Sequence, residues 1–116
     1  MIKVTFFKSG DIYYGFRETG HAEYDDPGKD IVCAAVSAMT MLLINAIEVS
    51  YESKVEYSID DDTAEVEVYA YGALGMNGVT AEQQYAISGL IKGYFLQLSD
   101  MLEDYYEFLE VKEEEA

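Results

Sequence analysis

The chain has 116 residues, of which 50% are hydrophobic, and its 7 basic and 23 acidic residues give a formal net charge of −16. This length supports one ordinary hydrophobic core, so the sequence predicts a single domain over residues 1–116. The charge repels nucleic-acid phosphates and anionic membrane surfaces, so we expect neither direct nucleic-acid binding nor membrane association. An acidic surface either aids solubility or attracts a basic protein partner, and composition leaves both interpretations open.

The cysteine content indicates the compartment. Cys33 is the only cysteine, so no internal disulfide is possible, and no signal-like segment opens the chain. We therefore expect a reducing, cytoplasmic setting. The longest apolar run, residues 31–44, is broken by Ser37 and Thr40 and falls short of the roughly 20 residues that a membrane span needs.

The first two predicted elements are strands. Residues 2–8 alternate apolar and polar positions, a turn follows at residues 9–11, and residues 12–19 resume a period near two. This pattern predicts a hairpin. Its second strand leads directly to His21, the only histidine in the chain.

A helix is predicted next. A turn at residues 28–29 and a candidate N-cap at Asp30 predict that this helix begins at Ile31. Cys33 would then lie in the first turn, where unpaired amides and the helix dipole favour a thiolate. Helical spacing places Cys33, Ser37 and Thr40 on one small polar stripe and directs inward Val32, Ala35, Val36, Met39, Leu43 and Ile47.

The second half of the chain predicts two strands, a helix and a strand. Residues 55–59 and 64–70 alternate around an acidic turn at residues 60–62, which predicts a second hairpin. A capping box at Thr80 opens an amphipathic helix, on which Gly89 and Gly93 are expected to permit close packing against a neighbour.

Residues 105–111 alternate as a final strand, and residues 112–116 are expected to fray. The order is ββαββαβ. We therefore expect an α+β fold, a two-layer sandwich of a small, mostly antiparallel sheet and two main helices.

Other motifs indicate no cofactor and no metal. The glycine-rich residues 72–78 lack the Gly-Lys-Ser/Thr ending of a phosphate loop and are interpreted as a connection. The aspartates at 25–26 and 60–62 lack calcium-loop spacing and are interpreted as solvated turns. One histidine and one cysteine make a zinc site improbable.

The histidine and the cysteine are open to two interpretations. A lone cysteine in an apolar helix is most often a small core residue, and a lone histidine is most often a surface or turn residue. Against this, His21 ends a strand, Cys33 lies near a helix start, and the glycine- and aspartate-rich segment 22–29 could fold one over the other. The positions of these two residues alone do not decide between a structural and a catalytic role.

Three short strings resemble the bacterial ribosomal-processing cysteine protease family, often called Prp. They are Gly-His-Ala at 20–22, GKDIVCAAVS at 28–37 and NAIE at 45–48. Members of that family are small α/β homodimers that remove an amino-terminal extension from a large-subunit ribosomal protein, the twenty-seventh, cutting after paired aromatic residues in an apolar segment. Outside residues 20–48 the chain resembles that family only in the order of its predicted elements.

The resemblance implies a cysteine endopeptidase in ribosome biogenesis, with Cys33 as nucleophile and His21 as general base. It places Asp30 and Ser37 as possible orienting groups, although Asp30 is equally explained as a helix cap and Ser37 as a packing residue. The loop from Ala22 to Lys29 is a possible substrate contact. A noncatalytic acidic chaperone for a basic ribosomal protein remains the alternative, since it would explain the charge equally well.

Overall fold

A computed structural model describes residues 1–20, 27–60 and 62–116. The elements follow the predicted ββαββαβ order, with a π-helical turn after the first helix and a 3-10 turn before the second. In chain order they are β1 (Ile2–Ser9), β2 (Ile12–Thr19), α1 (Pro27–Asn45), the π-helical turn Ala46–Ser50, β3 (Glu56–Ile59), β4 (Val66–Tyr69), the 3-10 turn Tyr71–Leu74, α2 (Ala81–Tyr105) and β5 (Leu109–Glu115).

The five strands form one sheet in the order β3-β4-β2-β1-β5. All neighbouring strands are antiparallel except β5, which pairs parallel to β1. Both helices pack on one face of this sheet, which confirms the predicted two-layer α+β sandwich.

The core lies between that face and the two helices. Ile2, Val4 and Phe6 of β1 are fully buried, as their period of two predicts. The Phe6 ring meets the rings of Tyr94 at 5.5 Å and Phe95 at 5.3 Å in edge-on contacts. Edge-on aromatic pairs are the favoured geometry, so β1 and α2 anchor each other at this point.

A β-bulge interrupts the regular alternation of β2. Phe7 pairs with Gly15 but Lys8 pairs with Tyr13, so Tyr14 is the extra residue. Tyr13 consequently stacks on Phe95 of α2, whereas Tyr14 stacks on Tyr71. The bulge therefore shifts the alternation of β2 by one residue, so that Tyr13, and not Tyr14, lies on the face that packs against α2.

The carboxyl terminus differs from the prediction. The predicted final strand is present but lies further along the chain than 105–111, because α2 continues to Tyr105 and β5 begins at Leu109. The expected fraying of 112–116 is wrong, since β5 extends to Glu115. Glu113 accepts a hydrogen bond from the Tyr13 hydroxyl at 2.7 Å and pairs with Lys8 at 2.9 Å, so these contacts with the first hairpin hold the acidic strand.

The start of α1 also differs from the prediction. The helix begins at Pro27, so Asp30 lies inside the first turn and is not the N-cap. Proline suits the first helical position because its missing N–H would be unpaired there. A Cβ on Gly28 would lie 2.8 Å from Cζ of Phe108, so the glycine lets that ring lie against the helix start.

α1 with its π-helical turn is longer than the apolar run counted from sequence. Asp30–Ser50 comprises 21 residues and includes a stretch of 18 with a mean hydropathy of 1.9, enough to cross a membrane by length and composition alone. Core helices of soluble proteins pass the same test. Here Val32, Val36, Leu43 and Ile47 are buried in the core as predicted.

Candidate functional site

Cys33 is a free, partly buried residue on α1. It is the seventh residue of this helix, because the helix begins at Pro27. The prediction that it lies in the first turn is therefore wrong. The unpaired amides and most of the dipole's effect belong to the first turn, so neither acts directly on the thiol.

Asp30 and Ser37 lie on the same side of α1 as Cys33. They precede and follow it by three and four residues, a spacing that brings side chains to about 5–6 Å between Cβ atoms. Both are exposed. The structure thus aligns the nucleophile candidate with both candidate orienting groups.

The remaining predicted site residues are only partly described. His21 and residues 22–26 of the predicted loop lie outside the described residues. Pro27 to Lys29 belong to α1, so the loop prediction is wrong for these three positions.

Gly20 fixes the chain immediately before His21. Its φ is +88°, in the left-handed region that favours glycine. A Cβ there would collide with the Met1 carbonyl and lie 3.3 Å from the Ile2 Cα. The end of β2 is therefore held tightly against the start of β1.

A cavity of about 320 Å³, named here the α1–β3 groove, lies between α1 and the β3–β4 hairpin. Its lining is mainly apolar and consists of Glu18, Ser37, Thr40, Met41, Ile44, Tyr57, Ile59, Ala64 and Val66. Ser37 is one helical turn from Cys33. The thiol therefore lies next to one end of a groove that suits apolar side chains.

A buried carboxylate forms part of this groove. Glu18 accepts hydrogen bonds through Oε1 from the Thr40 hydroxyl and, at 2.9 Å, from the Tyr94 hydroxyl. Burial and the nearby Glu18 carboxylate raise the pKa of Tyr94 well above its usual range, so this tyrosine remains a donor. Sequence reasoning did not identify Glu18, although its alternation with Phe16 on β2 placed it on the core face.

A second apolar groove separates the outer sides of α1 and α2. It has a volume of about 280 Å³ and is lined by Met39, Leu42, Leu43, Gly89, Leu90, Gly93, Tyr94 and Gln97. No described side chain lies within 4 Å of a Cβ built on Gly89 or Gly93. The expected close packing at these glycines is therefore not made within the described chain.

The described residues include no group of three or more His, Cys, Asp or Glu side chains that could hold a metal. Asp60 forms the predicted turn instead, and its Oδ1 accepts from the amides of Asp62 at 2.9 Å and Thr63 at 3.3 Å. Residues 72–78 lie in the predicted connection between β4 and α2.

Solved structures share this architecture over the whole chain. The crystal structure of SMU.848 from Streptococcus mutans is 28% identical, with a TM-score of 0.81, over 100% of this chain and 99% of that one. An essential ribosomal processing protease, Prp, from S. aureus in complex with a substrate peptide is 19% identical, with a TM-score of 0.79, over 98% of this chain and 100% of that one.

The same S. aureus protease with a covalently linked product peptide is 21% identical, with a TM-score of 0.75, over 98% of this chain and 100% of that one. A comparison with curated proteins gives no match. The family model described as cysteine protease Prp matches residues 1–110. Because that match spans nearly the entire sandwich and includes the Cys33 helix, the chain belongs to the Prp family of cysteine proteases.

Proposed function

We propose that the chain is a cysteine endopeptidase in which Cys33 is the nucleophile and His21 the general base. The observation that carries this proposal is the position of Cys33. Its free thiol lies one helical turn from Ser37, which lines the apolar α1–β3 groove. A peptide that extends from that groove past Ser37 would run toward the sulfur.

The proposed reaction has two covalent steps. His21 takes the Cys33 proton, the sulfur bonds to the substrate carbonyl carbon, and the C–N bond then breaks as the imidazolium protonates the leaving amine. Water next attacks the thioester carbonyl as His21 takes one of its protons. The C–S bond then breaks, the acid product departs, and the imidazolium returns the proton to the Cys33 sulfur. The S. aureus protease with a covalently linked product peptide supports a covalent route.

We propose Asp30 and Ser37 as groups that orient the imidazole. Their support is their alignment with Cys33 on one side of α1. Asp30 would accept a charge-assisted hydrogen bond from the imidazolium. The segment from Ala22 to Lys29 is proposed as a substrate contact because it joins the two catalytic residues in sequence.

The proposed substrate is the precursor of a basic large-subunit ribosomal protein, the twenty-seventh, whose amino-terminal extension is removed during ribosome assembly in the bacterial cytoplasm. The net charge of −16 supports a basic partner. The similar S. aureus fold belongs to a ribosomal processing protease bound to a substrate peptide, which supports the same kind of substrate here.

We further propose a homodimer that covers the outer face of α1. Residues 31–47 carry no charged side chain, yet Leu42 in this segment is 62% exposed. Val49, in the π-helical turn after α1, is 73% exposed. Large apolar side chains exposed beside an open groove are typical of a protein interface. An uncharged face also lets two strongly acidic chains approach. Leu42→Glu should convert a dimer to a monomer in light scattering.

The proteolysis proposal is tested by incubating the unprocessed ribosomal protein with wild-type and variant enzymes and weighing the products by mass spectrometry. The wild type should release the extension, and Cys33→Ser should release none. His21→Ala should reduce turnover by about two to four orders of magnitude, the usual contribution of a positioned base. Ala34→Ser, an exposed neighbour that gains a hydroxyl, is the matched control and should cleave normally.

Circular dichroism establishes that each variant is folded, and a capture assay establishes substrate binding. Cleavage by folded Cys33→Ser at the wild-type rate would contradict the proposal. If the wild type binds the precursor without cutting it and Cys33 is inert to iodoacetamide, the noncatalytic chaperone becomes the better explanation.

A further inference from the structure

β3 lies at one edge of the sheet, and its side chains are unusually open. All four of its residues are exposed. Tyr57 and Ile59 are 53% and 59% exposed, and both line the α1–β3 groove. The described part of the chain therefore leaves two large apolar side chains on an edge strand more than half exposed.

The hydrogen-bonding phase of β3 determines which backbone groups are available. Asp60 N donates to Glu65 O at 2.9 Å, and the same register pairs Ser58 with Glu67 and Glu56 with Tyr69. Because bonded pairs alternate along an antiparallel ladder, Glu56 and Ser58 direct their backbone groups toward β4. The N–H and C=O groups of Tyr57 and Ile59 therefore point away from the sheet.

The opposite edge strand, β5, has five charged side chains among its seven residues, whereas β3 has one, Glu56. The sequence of β5 is LEVKEEE, and its last residues are charged and exposed. Charged side chains on an edge strand discourage pairing with another chain. β3 instead offers two donors and two acceptors next to an apolar groove, the combination that extended peptides use when they add a strand to a sheet.

The charges around β3 indicate the chemistry of the occupant. Exposed carboxylates surround the strand at Glu52, Glu56, Asp60 and Asp62. Lys54 is the neighbouring cation, and its Nζ lies 3.5 Å from Oε1 of Glu56. An extended segment with apolar side chains at alternate positions and basic residues at its ends complements both the groove and this acidic rim.

We propose that the substrate main chain binds as an added strand on the outer edge of β3. Its alternate apolar side chains enter the α1–β3 groove, and its basic flanks face the acidic rim. A peptide in this position runs past Ser37 toward Cys33, one helical turn away. The inference rests on the proposed function for the identity of the ligand as substrate, but the mode of binding has its own test.

The test measures binding to the Cys33→Ser protein, so that cleavage does not consume the probe. The probe is a fluorescent synthetic peptide with an apolar centre that contains a Phe-Phe pair and with lysines at both ends. Two series carry N-methyl groups at alternate backbone amides. Methylation of the amides that point toward β3 should weaken peptide binding by about tenfold or more. Methylation of the alternate amides, which point away from β3, should change the affinity by about twofold or less.

Two variants at one position test the same contact from the protein side. Ile59→Ala removes the side chain but keeps the outward N–H, whereas Ile59→Pro also removes that donor without breaking a bond to β4. Proline should weaken peptide binding by about fivefold more than alanine does. Circular dichroism and urea unfolding of both variants verify that the hairpin is retained.

The outcomes separate this inference from the proposed function. Equal effects of the two methylation phases would overturn strand addition, even if the wild type cleaves its substrate. The alternating effect without any cleavage by the wild type would retain strand addition and reject the protease proposal. If Ile59→Pro instead converts a dimer to a monomer in light scattering, a second copy covers the edge and the inference is wrong.

Discussion

Phe108 packs its ring against Gly28, so the segment before β5 fixes the start of the helix that carries Cys33. A Cβ at Gly28 would lie 2.8 Å from Cζ of that ring, closer than ordinary contact. The two residues are 80 positions apart in sequence, so the position of the helix start depends on the fold of the whole chain.

Gly28→Ala should therefore destabilise the protein by about 1–3 kcal/mol, the usual cost of overpacking. Gly89→Ala is the matched control, because it is also a helical glycine but no described atom lies within 4 Å of the added methyl. This control should stabilise by up to about 1 kcal/mol through helix propensity. Urea unfolding measures both, and equal effects would show that the Phe108 contact adds no constraint.

Gly20→Ala should destabilise the protein and abolish peptide cleavage. The substitution adds backbone strain at a φ of +88° and a collision with the Met1 carbonyl, next to the proposed base His21. Gly10→Ala is the matched control, with a φ of +62° and no described atom within 4 Å of the added carbon. Only strain of about 1–2 kcal/mol should affect the control.

Unfolding free energies and turnover of the two variants distinguish the clash from the strain. Similar losses in both would mean that the Gly20 contact with Met1 is unimportant. A stable Gly20→Ala protein with normal turnover would contradict the importance of this turn for the site.

The sequence predicted those elements that bury one regular face. β1 buries Ile2, Val4 and Phe6 at a period of two, and the buried residues of α2 follow a helical period: Ile87, Ile91, Tyr94 and Leu98. The capping box at Thr80 is present as predicted, because it depends on four adjacent residues. In each case, interactions between residues close in sequence were sufficient to predict the element.

The errors occurred where contacts distant in sequence decide the structure. The turn predicted at residues 28–29 is instead part of the first turn of α1, where the Phe108 ring lies against Gly28. The acidic residues 112–115 are typical of a frayed end, yet Lys8 and Tyr13 hold Glu113 in β5. In the candidate site, Cys33 was identified by the resemblance, whereas Glu18 was overlooked because a buried carboxylate needs partners that the sequence does not display.

The Tyr13 hydroxyl makes stability sensitive to alkaline pH. Burial, followed by its hydrogen bond to Glu113, raises the pKa of Tyr13 from 10.0 to about 12. An unfolded tyrosine ionises near 10, so the unfolded state loses its proton first. The resulting stability is fully present below pH 10 and is lost as the pH rises toward about 12.

Tyr13→Phe should therefore show a shallower decline of unfolding free energy over this pH range, as measured by urea unfolding. The exposed Tyr85 provides the control, and Tyr85→Phe should follow the wild-type slope. An unchanged slope in Tyr13→Phe would contradict the role of this hydroxyl.

Substrate capture should depend steeply on salt. If the net charge of −16 steers a basic substrate, its association rate should fall between low and physiological ionic strength, because the Debye length contracts to about 8 Å at 0.15 M. Stopped-flow fluorescence measures this rate. A peptide with the same apolar centre and uncharged ends is the control and should vary little, whereas a salt-independent rate for the basic peptide would exclude steering.

The hydrogen bonds from Thr40 and Tyr94 to Glu18 should contribute jointly to stability and hold the α1–β3 groove in shape. Both donors reach the same carboxylate oxygen, and the two hydroxyls lie 3.3 Å from each other. Thr40→Val and Tyr94→Phe should each cost about 1.5–3 kcal/mol, as expected for hydrogen bonds to a charged group. Because the partners are shared, the double variant should deviate from additivity by at least about 0.5 kcal/mol.

Thr40→Ser keeps the donor and should retain most of the stability. Urea unfolding of the four proteins in the cycle, with Thr40→Ser beside them, gives the coupling energy, and strict additivity would show that the two donors act on Glu18 independently.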